Sequence, residues 1–214
     1  MRLWSRNWTD GEPLPERHAA GRIDPAGGVT FADDVNPHLA WDGVPPGTRS
    51  LVLTCHDVDV PSSGEDVNQS DREVPASLPR VDFFHWSLVD IDPTRSDVDE
   101  GSFSSGFITR GKPGPRVEIP GWQGTRQGLN DFTGWFAGDE AMKGEYFGYD
   151  GPFPPFNDSL IHHYVFTLYA LDVERAPVDG SFGGAELRDA IRPHVLASAT
   201  IVGTYTLNRR LLAR

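Results

Sequence analysis

Apolar and polar positions in this 214-residue chain alternate in short blocks, with none of the long apolar runs that a membrane-spanning helix requires. Four blocks rich in β-branched and aromatic residues stand out, at residues 50–56, 83–91, 164–171 and 200–207. Their continuity predicts strands, several of them buried on both faces. The 23 glycines and 18 prolines are scattered between blocks, so they punctuate many short elements instead of forming one linker. The pattern predicts a mostly β fold, an antiparallel β-sandwich with Greek-key connections. At this length a single domain over residues 1–214 accommodates it.

One stretch has a helical period. Leu187 and Ile191 stand four apart behind Gly183 and Gly184, which predicts a short amphipathic helix over residues 185–192, near the C-terminus. Pro193 then ends that helix or opens a second one over residues 194–199. Three long loops are expected at 62–80, 111–131 and 133–147. The last carries Trp135, Phe136, Tyr146 and Phe147, which either cover the domain's own core or offer a lid or partner surface.

Strand parity sorts the polar residues. Side chains two apart share a face, which groups His85 with Phe83, Ser87 and Val89. It also places His162 beside Tyr164, sends His163 to the opposite face, and gives Asp57 and Asp59 a common parity. Each strand thus offers polar groups to a shared mouth, although periodicity alone does not bring them together. The segment 149–155, YDGPFPP, is stiffened by prolines. Its glycine permits close backbone approach, so the N–H groups of Gly151 and Phe153 are candidates for facing a bound oxygen. Trp86 and Tyr169 read as core aromatics, and Asp90 and Asp92 as solvated strand-end or turn residues.

The formal net charge of −12 argues against general binding to nucleic acid or anionic membranes, which need a positive footprint. It leaves room for a small anion held by a few directed donors. Cys55 is the only cysteine and reads as a small core residue, with the adjacent His56 pointing the other way. The N-terminal MRLWSRNWTDGEP has no apolar core or cleavage site of a secretory signal, so a cytoplasmic protein is expected. Two enzymatic rivals remain. Two histidines and a carboxylate can bind iron or zinc, though no His-x-x-x-His pair occurs. A hydrolase would lack a G-x-S-x-G elbow. Residues 106–112 approach a phosphate-binding loop, but Pro113 stands where Ser or Thr belongs; this segment reads as a strand followed by a turn.

Six strings, in order, then acquire meaning: NPHLAWDGVPPG (36–47), HDVDVP (56–61), HWSLVDI (85–91), YDGPFPP (149–155), HHYVFTLYALD (162–172) and HVLASATIVGTY (194–205). Together they resemble the phosphatidylethanolamine-binding protein family over about residues 10–206. The last is similar to the closing segment of its bacterial, Raf kinase inhibitor-like branch. Val58 stands where the family's DPDAP signature has its first proline, and the loops at 62–80 and 133–148 are longer than in compact bacterial members.

The resemblance implies a rigid β fold with a small preformed pocket for phosphoryl or carboxylate groups, such as a phospholipid head group or a phosphorylated ligand. It implies binding without catalysis and no cofactor or metal. The implied ligand contacts are Asp57, Asp59, Val60, Pro61, Phe83, His85, Gly151, Phe153, Pro154, His162 and Tyr164. The histidines and Tyr164 would donate hydrogen bonds to ligand oxygens, and Asp57 would orient His85 or His162. The alternative implied by eukaryotic relatives is an interaction module that inhibits a kinase or protease, with loop 133–147 as its surface. A homodimer is expected by analogy alone.

Overall fold

The computed structural model describes residues 1–212. In chain order the strands are β1 (Arg2–Trp4), β2 (Gly21–Ile23), β3 (Val29–Phe31), β4 (Leu39–Asp42), β5 (Ser50–Pro61), β6 (Arg80–Ile91), β7 (Asp97–Val98), β8 (Arg126–Gln127), β9 (His162–Leu171) and β10 (Val195–Tyr205). Three short helices accompany them: α1 (Phe132–Trp135), α2 (Gly184–Ile191) and α3 (Arg209–Leu212). The four predicted blocks form the long strands of a five-stranded sheet ordered β10-β9-β5-β6-β8, antiparallel throughout. A three-stranded sheet, β1-β4-β7, faces it, and β2 pairs with β3 alone.

The central strands are continuous in apolar residues because both of their faces are covered. Leu51, Leu53 and Cys55 of β5 point into the main core, where they meet Trp86, Leu88, Phe166 and, from the smaller sheet, Leu39 and Trp41. Val52 points the other way, with Val89, into a second cluster closed by Leu187 and Ile191 of α2. Each such side chain, fully buried, stabilises the fold by roughly 1.5–3 kcal/mol. Cys55 is buried, and burial pushes its thiol well above the usual range, as a core role requires.

Several local expectations are corrected. No second helix forms over 194–199: a single 3₁₀ turn, Arg192–His194, follows α2, and β10 begins at Val195. There the side chains alternate between half-buried and exposed against β9, an edge-strand environment that overrides the proline-led helical reading. The segment 106–112 is irregular and forms no strand; Ile108 is exposed, and Lys112 turns inward instead. Asp90 is not solvated. It sits at a positive φ of 61° beside a register shift, where Arg126 Nε donates to its carboxylate at 2.6 Å and the Ala176 N–H at 2.7 Å. Tyr169 is only partly buried, against the second cluster. Among the aromatics of loop 133–147, Tyr146 and Phe147 are buried, whereas Trp135 is exposed.

Candidate ligand-binding site

Register assembles the site. On β5, Asp57 lies directly across from Tyr164 of β9 and Phe83 of β6, which puts the three side chains on one face. A register shift between Cys55 and His56 skips His85 on β6. Such a bulge re-aims a side chain and shifts the phase of the residues beyond it. As a result His85 joins the face of Trp86 and Tyr164, with its ring 5.2 Å from that of Tyr164. Ser87 pairs with Thr54 and Val89 enters the second cluster, so the parity that grouped them with His85 does not hold. On β9 the alternation is unbroken: His162 and Tyr164 are buried and His163 is exposed.

A second shift, between Asp57 and Val60, separates the two aspartates. Asp57 stays on the buried face. Asp59 instead accepts from the His163 backbone N–H and faces its ring Nδ1, both at 2.8 Å. Asp59 therefore lies outside the cavity, in a surface contact with His163.

The cavity has a volume of about 280 Å³. Its floor is Asp57, His85, His162 and Tyr164, and its walls include Val60, Pro61, Phe83, Phe153 and Pro154. Phe132, Trp135, Phe136 and Met142 add a wall from the α1 region, and Val67 and Asn68 one from loop 62–80. Parity carried no signal for these two walls, because both come from irregular segments. Gly151 does not line the cavity. Its N–H donates to Asp34 Oδ1 at 2.7 Å, so it is not aimed at a ligand oxygen, and a Cβ there would overlap the His18 carbonyl.

The floor is an alternating row of charges. His162 Nδ1 is 2.7 Å from Asp57 Oδ2, and Nε2 is 3.1 Å from Asp158 Oδ2. Arg80 clamps Asp158 with two bonds, at 2.6 and 3.1 Å. Burial alone would lower the His162 pKa, but hydrogen bonds and charge from Asp158 and Asp57 outweigh it and raise it to about 9. Asp158 is also buried, which raises its pKa, yet His162 and Arg80 hold it below the usual carboxylate value. The ring is thus an imidazolium at neutral pH, with both nitrogens spent on carboxylates. It is a structural cation and not a free donor.

His85 is different. Its Nδ1 donates to the Asp150 carbonyl at 2.7 Å, and burial lowers its pKa despite the nearby charge of Asp57. The ring is neutral, and Nε2 has no protein partner among the described residues. Tyr164 Oη is sealed near Asp57 and also has no well-formed hydrogen bond. Burial holds its phenol well above the usual range, so it stays a donor. Tyr164 Oη is thus closed off beside a carboxylate, whereas His85 Nε2 opens onto the cavity.

Asp150 is itself anchored. Lys112 Nζ pairs with its carboxylate, lies 3.3 Å from Asp34 and is 3.2 Å from Ser104 Oγ. Asn130 Nδ2 donates to Asp150 Oδ2 at 2.7 Å. Burial, and then the Asp150 charge, push Asp34 well above the usual carboxylate range. Sequence reading missed Asp34, Arg80, Lys112 and Asp158, since each comes from a loop or strand end where side-chain direction is not periodic.

The family model described as "Phosphatidylethanolamine-binding protein" matches residues 4–206. The chain belongs to that family. Among curated relatives, UPF0098 protein YbhB of Escherichia coli K12 is 32% identical, covering 96% of this chain and all of that protein. YbcL of the same organism is 29% identical over 92% of this chain and 82% of its own length. The crystal structure of E. coli YbcL, described as a new member of the mammalian PEBP family, superposes with a TM-score of 0.66 at 27% identity, covering 96% of this chain and 97% of that one. CT736 of Chlamydia trachomatis, described as a putative PEBP homologue, gives a TM-score of 0.62 at 25% identity, covering 95% of each chain. This phosphatidylethanolamine-binding protein family member contains, among its described residues, no group of three His, Cys, Asp or Glu side chains arranged to hold a metal. No helix among them is long and apolar enough to cross a membrane.

Proposed function

We propose that the protein reversibly binds a small ligand through a phosphoryl or carboxylate group, without turnover. The carrying observation is His85 Nε2, which has no protein partner among the described residues and opens onto the cavity floor beside Asp57 and Tyr164. A ligand oxyacid group that hydrogen-bonds this nitrogen gains roughly 1.5–3 kcal/mol where one partner is charged. The aromatic walls favour an apolar substituent on that group. Asp57 supports the site by holding His162 in place.

The proposal is tested by titrating inorganic phosphate and phosphoethanolamine into the protein, with calorimetry for affinity and NMR for the imidazole and phenol signals. Saturable binding that shifts His85 and Tyr164 is expected. No binding, or binding that leaves both signals unmoved, rejects the pocket.

A further inference from the structure

The two edges of the five-stranded sheet are closed differently. At one edge β8 is only 2 residues long, whereas at the other β10 runs for 11. A free edge strand presents unpaired N–H and C=O groups, which folded proteins cover, charge or interrupt with proline. The C-terminal half of β10 is covered by the chain's own N-terminal segment. Val202 N–H donates to Asp10 Oδ1, and its carbonyl accepts from Gly11 N–H and the Trp8 indole. Thr204 bonds Glu12 and Leu14 in the same way. Alternation along the strand turns the N–H and C=O groups of Ser198 and Thr200 to this same outer side. Among the described residues nothing pairs with them there.

The uncovered stretch, residues 195–200, reads VLASAT and contains neither a charge nor a proline. Its one irregularity is the bulge at Leu196. Ala197 and Ala199 pack inward on the main core, while Leu196, Ser198 and Thr200 are exposed. The stretch is bounded by the 3₁₀ turn that ends at His194 and by the Asp10 contact at Val202. Ser198 lies midway between those two bounds.

We propose that this edge pairs antiparallel with the same edge of a second copy of the chain, about a two-fold axis at Ser198. In that register Ser198 exchanges both backbone bonds with its counterpart, and Thr200 stands opposite Leu196 of the second copy. The edge is therefore complementary to itself, as an isologous interface requires. Position 194 of one copy falls at the level of Val202 in the other, so the added strand begins where the N-terminal cover ends. The exposed Asp10 of one copy and Arg192 of the other come to the same end of the seam, with opposite charges. A net charge of −12 per chain sets two copies against each other elsewhere, and this uncharged stretch lets backbones meet without facing carboxylates.

The test is analytical ultracentrifugation of the full chain between about 2 and 200 µM, beside Ser198→Lys and Ser198→Glu. Wild type should form a dimer within this range. Like charges directly opposite on paired strands are destabilising, so each variant alone should dissociate at least tenfold more readily. Mixed one to one, the two variants should recover the dimer, because the new charges are then opposite in sign. A wild type that stays monomeric at the highest concentration overturns the proposal. So does a dimer that either variant leaves as tight as before, since the contact would then lie elsewhere. A mixture that fails to recover the dimer overturns the two-fold register at Ser198 and the proposal with it.

Discussion

Asp57 and His162 are joined across β5 and β9 by a 2.7 Å contact between Oδ2 and Nδ1, and this contact withdraws the histidine from the free ligand donors. With Asp158 on the other nitrogen, His162 becomes the positive centre of a buried row that ends at Arg80. The row shapes the cavity floor and leaves His85 Nε2 open to a ligand, with Tyr164 beside it.

The raised pKa of His162 makes stability depend on pH. A histidine in the unfolded chain titrates near 6.5, whereas the folded residue titrates at about 9. The stabilisation it supplies is therefore complete below about pH 6.5 and is lost as pH rises through 9. Urea unfolding of wild type and His162→Gln at pH 6 and pH 9.5 checks this. The stability gap between the two proteins should shrink at the higher pH, and a constant gap contradicts the assignment.

Arg80 is nearly buried against Asp158. Arg80→Met leaves that carboxylate with His162 as its only cationic partner, and breaking a buried pair from one side costs about 3 kcal/mol or more. The urea midpoint should fall accordingly. A loss below about 1 kcal/mol, the range of exposed pairs, would place the ion pair in solvent.

Gly151 serves close packing, with its N–H on Asp34 and the His18 carbonyl where a side chain would begin. Gly151→Ala forces a backbone shift and should destabilise the protein by roughly 1–3 kcal/mol. An unchanged melting temperature would show that the loop has room there.

Trp135 lines the cavity yet is half exposed. Trp135→Ser should change stability by no more than about 0.5 kcal/mol and weaken phenyl phosphate more than inorganic phosphate. Equal weakening of both would remove Trp135 from the apolar wall.

Sequence periodicity was sufficient for β9, where unbroken alternation separates His162 and Tyr164 from His163. It was sufficient for α2 as well, because Leu187 and Ile191 needed only a surface to bury. It failed at β6 and at the end of β5, where bulges shift the phase: His85 left the company of Ser87 and Val89, and Asp59 left that of Asp57. Parity assumes a regular pleat, and one extra residue inverts every assignment beyond it. The meeting of Asp57, His85 and Tyr164 depends on register between strands far apart in sequence, which neither alternation nor composition encodes. Resemblance to a family indicated that they converge. It gave no warning that Asp158 and Arg80 would complete the row, or that Lys112 would fix the carbonyl that sets His85.

The role of Tyr164 on the cavity floor is tested by Tyr164→Phe, which deletes one hydroxyl without changing the shape of the ring. That hydroxyl lies near Asp57 without a well-formed hydrogen bond, so its loss should change the urea midpoint little. Affinity for phenyl phosphate, measured by calorimetry on the same samples at pH 6, should fall roughly 10- to 100-fold, the equivalent of one charge-assisted hydrogen bond. A variant that is equally stable and binds phenyl phosphate as tightly as wild type would contradict the assignment of Tyr164 to the ligand.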